Sequence, residues 1–136
     1  MEKRFIVLDT ETTGLEVEKG HRIIEIGGVV MNGRKKTSET FHAYINPQRE
    51  IDKEAQAVHG ISNEDLEDKP LFSDIAEDFL EFIDGSTLVI HNADFDIGFL
   101  DAELKIASST YPAISDICEI KDCLLYTSDA ADDSAC

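Results

Sequence analysis

Apolar positions along the first third of the chain recur with a period of two, and along the remainder with a period near 3.6. Arg4–Asp9 holds the β-branched apolar run Phe5-Ile6-Val7-Leu8 and predicts a strand closed by Asp9. Ile23–Met31 predicts a second strand, with Ile24, Ile26 and Gly28 on one face. Gly27-Gly28 inside it predicts a bulge or a close backbone approach. Asn32-Gly33 is a hairpin signal, and Thr40–Ile45, with Phe41, Ala43 and Ile45 alternating, predicts the third strand. The three make an antiparallel meander that ends at Asn46-Pro47.

The period then changes. Asp52–Val58 predicts a short helix stopped by His59-Gly60, and Ser62 with Asp65 has the form of a capping box. Phe72, Ile75, Ala76, Phe79, Leu80 and Ile83 share one helical face, with Gly85 as the stop beyond it. Leu88–His91 predicts a short buried strand, and Phe95–Ile106 a helix with Ile97, Phe99, Leu100 and Leu104 inward. Ile114–Ile120 is a candidate fifth strand. A fourth strand reached by a helical crossover runs parallel to the first. The order predicts an α/β domain, a mixed sheet flanked by helices, as in ribonuclease H-like folds.

At 136 residues the chain suffices for one domain and its core. No apolar run approaches the roughly 20 residues that span a bilayer, and the N-terminal run is too short for a signal-peptide core. A cytoplasmic protein without membrane contact is expected. Cys118, Cys123 and Cys136 are odd in number and lack zinc-site spacing, which predicts free thiols. The net charge of −17 opposes nucleic-acid binding by phosphate neutralisation alone. Carboxylates can still receive a phosphodiester when divalent metals lie between the two.

Two acidic clusters carry the candidate chemistry. Asp9 and Glu11 stand two residues apart at the end of a buried strand, so alternation places them on the same side. They repel one another unless something positive lies between, and magnesium or manganese prefers such oxygen ligands. His91-Asn92-Ala93-Asp94-Phe95-Asp96 follows the other central strand and opens a helix. Asp94 and Asp96 suit a helix first turn electrostatically. With strands one and four adjacent, Asp96 is expected to face Asp9 and Glu11.

Asp9-Thr10-Glu11-Thr12-Thr13-Gly14 resembles the first motif of the DEDD superfamily of 3′→5′ exonucleases, and His91–Asp96 the second. Ile23-Ile24-Glu25-Ile26-Gly27 and Val58-His59-Gly60-Ile61 are also typical of it, in order and at matching spacing, over about residues 4–122. The combination is similar to the proofreading subunits of bacterial replicative DNA polymerases. The resemblance implies two-metal hydrolysis of the 3′-terminal phosphodiester with Mg²⁺ or Mn²⁺ as cofactors. It implies Asp9, Glu11 and Asp96 as catalytic metal ligands, and Asp9, Glu11, Glu54 and His59 as contacts of the terminal nucleotide. Thr12 and Leu15 flank the terminal base, and Asn92 supports the loop carrying Asp96; Asp94 is left out of the ligand set. The implied partners are a DNA 3′ end, a polymerase catalytic subunit and other replicase subunits. Without the resemblance, His59 reads as a helix-end cap. An RNA-trimming exonuclease of the same superfamily and a non-catalytic binding module are the alternatives.

The superfamily's third motif supplies a histidine as general base and a last aspartate. No histidine follows Cys118, and Asp122 falls too early. The chain is therefore expected to be truncated before that motif and to have little nuclease activity by itself. Residues 1–122 are expected to form the partial exonuclease domain. From Cys123 onward the composition changes to an acidic stretch without bases, expected to be a non-native or disordered tail, the in-frame translation of a sequencing adapter.

Overall fold

Strand β1 (Phe5–Thr12) is the middle of a five-stranded sheet of order β3-β2-β1-β4-β5. It pairs antiparallel with β2 (Ile23–Asn32) and parallel with β4 (Thr87–Ile90). Strand β3 (Lys35–Tyr44) forms a hairpin with β2, and β5 (Glu119–Asp122) runs parallel to β4 at the other edge. This computed structural model describes residues 4–33 and 35–123; of the tail expected from Cys123 onward only Cys123, which is buried, lies within them. The arrangement is the expected ribonuclease H-like mixed sheet. Among the described residues five α-helices flank it: α1 (Lys53–His59), α2 (Asn63–Leu66), α3 (Phe72–Ile83), α4 (Ala93–Ala107) and α5 (Ile114–Ile117).

The core forms where the even-numbered side chains of β1, Ile6 and Leu8, meet the inward faces of α3 and α4. Phe72, Phe79 and Ile83 of α3 and Phe99, Leu100 and Leu104 of α4 are buried there. Each such side chain contributes about 1.5–3 kcal/mol by leaving water. Gly28 is a close approach, as expected. A Cβ there would lie 2.9 Å from Phe82 and 3.3 Å from Leu8, so glycine is what lets α3 settle on the sheet.

Three expectations need correction. Strand β1 does not close at Asp9 but runs to Thr12, because β2 continues to pair with it through Glu11 and Thr12. That pairing skips Ile24, so Ile24 and Ile26 do not share one environment. Ile24 packs with Ile51 and Leu66 under α1 and α2, while Ile23 and Ile26 join the main core. Nor is Ile114–Ile120 one strand. Asp101 Oδ1 accepts the Ile114 N–H at 2.9 Å and Asp116 accepts that of Ala113, which satisfies a helical turn. Only Glu119–Asp122 joins the sheet.

The capping box predicted at Ser62 is present in both directions, and Gly60 ends α1 with a φ of 74°. No helix among the described residues is long and apolar enough to cross a membrane.

Candidate active site

Thr10 lies between the two acids of β1 and is buried, so Asp9 and Glu11 extend from the opposite side of the pleat. Across the ladder Glu11 stands directly opposite Glu25 of β2. Like charges so placed repel. Glu25 is held by His42 of β3, whose Nε2 lies 2.7 Å from its Oε2.

Asp96 enters from the first turn of α4, close to Thr10, and is only 5 % exposed. Burial pushes its carboxyl up to about 7; the charges of Asp9 and Glu11 push the same way, and hydrogen bonding from Thr10 opposes them. Asp96 Oδ2 and Thr10 Oγ1 are both buried, and neither has a hydrogen-bond partner of good geometry. Asp9 is also raised, by burial first and then by Glu25, against the Thr10 backbone and His91. Glu11 is raised by burial, then by Asp9 and Glu25, against His59. The three sequence-predicted acids thus feel one another's charge at one strand end. Among the described residues no three His, Cys, Asp or Glu side chains form a ready-made cage for an ion.

The start of α4 is set by a residue the sequence did not reveal. Asp122, at the end of β5, accepts the N–H groups of Asn92 at 3.2 Å and Ala93 at 3.0 Å. A carboxylate at a helix N-terminus caps it and offsets its dipole. Asn92 supports the loop through its left-handed backbone, φ 61°, and its side chain makes no cap bond. Asp94 is exposed.

Beside the acids opens a cleft of about 490 Å³. Glu11, Thr12 and Leu15 line it from β1 and the turn after it, Glu54, Val58 and His59 from α1, and Phe95 from α4. Leu15 and Val58 are 81 % and 84 % exposed and leave apolar surface open beside the cleft. His59 accepts the Ile61 N–H at Nδ1, 3.0 Å. Its proton is therefore on Nε2, which donates to the Thr12 carbonyl at 3.2 Å. His59 lines the cleft and ties α1 to β1 as well.

Two buried polar links escaped the sequence. Arg22 and Glu103 form an ion pair between β2 and α4. His21 joins Thr13 to Asp52. For Glu103 there was a signal: an acid seven residues after Asp96, among inward positions of the same helix.

The sequence profile of the RNase_T family, the exonucleases, matches residues 6–130. The DNA polymerase III subunit epsilon of Rickettsia typhi is 58 % identical over 107 residues, covering 79 % of this chain and 47 % of the relative. The chain spans about half the length of the curated relatives it matches. Among solved structures, an E. coli ExoI–ssDNA complex superposes with a TM-score of 0.79 at 15 % identity, over 91 % of this chain and 28 % of that one. Exonuclease X in complex with 5′-overhanging duplex DNA gives 0.56 at 34 % identity, over 73 % and 54 %.

Proposed function

The chain belongs to the RNase_T exonuclease family, and from that membership we propose that it is the nuclease portion of a replicative proofreading subunit, removing nucleotides from DNA 3′ ends. Asp96 carries this reading: a buried carboxylate oxygen without a partner, coupled in charge to Asp9 and Glu11. Such an oxygen is costly to bury unless a cation meets it. An all-oxygen donor set suits Mg²⁺ or Mn²⁺, and Asp9, Glu11 and Asp96 would hold the pair. When bound, divalent cations supply Lewis acidity at the phosphodiester and offset the repulsion among the carboxylates.

The remaining work falls to the chain's own side chains. Leu15 and Val58 offer apolar surface to the terminal base. Glu54 and His59 contact the terminal nucleotide from α1, and the His59 bond to Thr12 holds that wall against β1. A mispaired end costs less to unstack into the cleft than a paired one, which gives selectivity. A net charge of −17 leaves the duplex to be gripped by another protein, and the relatives' name supports a polymerase in that role.

The test uses a 5′-labelled single strand with magnesium and the chain extended to the length of its relatives. Shortening from the 3′ end, stopped by EDTA and by Asp9→Ala, is expected. Shortening from the 5′ end, or activity that survives EDTA, would overturn the proposal.

A further inference from the structure

We propose that His21 is a positioning residue that fixes the width of the nucleotide cleft; this rests on that cleft being the seat of a 3′-terminal nucleotide. His21 precedes β2 and is buried, with both ring nitrogens engaged. Nδ1 lies 2.8 Å from Thr13 Oγ1, and Nε2 lies 3.3 Å from Asp52 Oδ2. Thr13 Oγ1 also accepts the Arg22 N–H at 3.0 Å. The Asp52 carboxylate can only accept, so Nε2 carries a hydrogen directed at it.

The series Thr13–His21–Asp52 has the residue types of a nucleophilic triad, but Thr13 is wholly buried and no substrate reaches its hydroxyl. Its effect is mechanical. Asp52 is the N-cap residue of α1, and its N–H also donates to the Thr13 carbonyl at 2.8 Å. At the other end of α1, His59 donates to the Thr12 carbonyl. The short helix bearing Glu54 and Val58 is thus fastened at both ends to the turn bearing Leu15. His21 is the side chain between them at the cleft floor.

Gly14 belongs to the same device. A Cβ at that position would strike Cε1, Nδ1 and Nε2 of the His21 ring. The ring fills the space that a Gly14 side chain would need, and any larger residue would have to push the turn or the ring away. Seen so, the glycine that closes the first motif makes room for His21.

The experiment is calorimetric titration of the purified chain, loaded with Mn²⁺, with thymidine 5′-monophosphate. His21→Ala is expected to weaken the nucleotide ~10-fold or more through misplacement of the walls, with Mn²⁺ affinity within about twofold of wild type. Asp52→Ala, at an exposed position that does not empty the core, is expected to act alike and to add nothing in the H21A background. Asp52→Asn, which still accepts the Nε2 proton, is expected to recover wild-type affinity. Gly14→Ala is expected to be harmful alone and to add less than about twofold in H21A, because the ring it strikes is gone. D52A binding the nucleotide like wild type, or G14A costing the same factor in both backgrounds, would overturn the proposal. Wild type that binds Mn²⁺ but no nucleotide would overturn the reading of the cleft, and this inference with it.

Discussion

Arg22 and Glu103, 81 residues apart in sequence, meet in a two-pronged ion pair that fastens α4 to the start of β2. Arg22 Nε lies 3.0 Å from Oε2 and Nη2 2.7 Å from Oε1, while the Ile23 N–H donates to Oε2 at 2.9 Å. Glu103 is 2 % exposed, so all its charge is met inside the protein. Asp96 lies two turns earlier on the same helix, and Glu103 therefore helps to keep it against β1. Glu103→Ala is expected to destabilise the chain by about 3–5 kcal/mol in urea titration, since it strands Arg22 and the Ile23 amide. Glu103→Gln, keeping shape and an acceptor, should cost less. Equal stability of E103A and wild type would show that the pair does not hold the helix.

The raised carboxyl of Asp96 gives a pH dependence with a definite sign. Its unfolded value is about 3.9, and its folded value is about 7. Between these the folded chain keeps a proton that the unfolded chain has released. Stability from this group is therefore greatest below the window and falls as pH rises through it. In EDTA the urea midpoint should be higher near pH 5 than near pH 8 by this contribution, and Asp96→Asn should flatten that slope. A slope unchanged in the variant would remove Asp96 as its source.

His59 stands both on the cleft and in the joint between α1 and β1, and substitution separates the two roles. His59→Ala is expected to weaken thymidine 5′-monophosphate while leaving Mn²⁺ affinity intact. His59→Gln, able to donate to the Thr12 carbonyl, should restore stability more fully than nucleotide affinity. Nucleotide affinity unchanged in H59A would leave the ring only its structural part.

The sheet, the α3 face and the two acid motifs were legible because each is written in local periods and turn residues: Phe72 to Ile83 at helical spacing, Asp9 and Glu11 two apart, Gly85 as a stop. Ile24 was misplaced because a bulge is a matter of pairing between strands, and nothing in Ile23–Met31 alone states that Glu11 faces Glu25 while Thr12 faces Ile23. Ile114–Ile120 misled because strand-forming isoleucines were overruled by Asp101 and Asp116, which satisfy a helical turn from outside and within. In the site the acids could be foreseen and their fastenings could not. Asp122 on the Asn92 and Ala93 amides, His21 on Asp52 and Glu103 on Arg22 are contacts between segments far apart in the chain.

The proposed function requires Asp9, Glu11 and Asp96 together to receive divalent cations. Titration of the purified chain with Mn²⁺ near pH 7, followed by the loss of the free-ion resonance signal, tests it most directly. Wild type should bind and release protons as it does so, because Asp96 must ionise to serve as a ligand. Asp96→Asn should bind at least ~10-fold more weakly and release fewer protons, with its fold intact by circular dichroism. Mn²⁺ bound equally well by wild type and D96N, with the same proton release, would contradict the account.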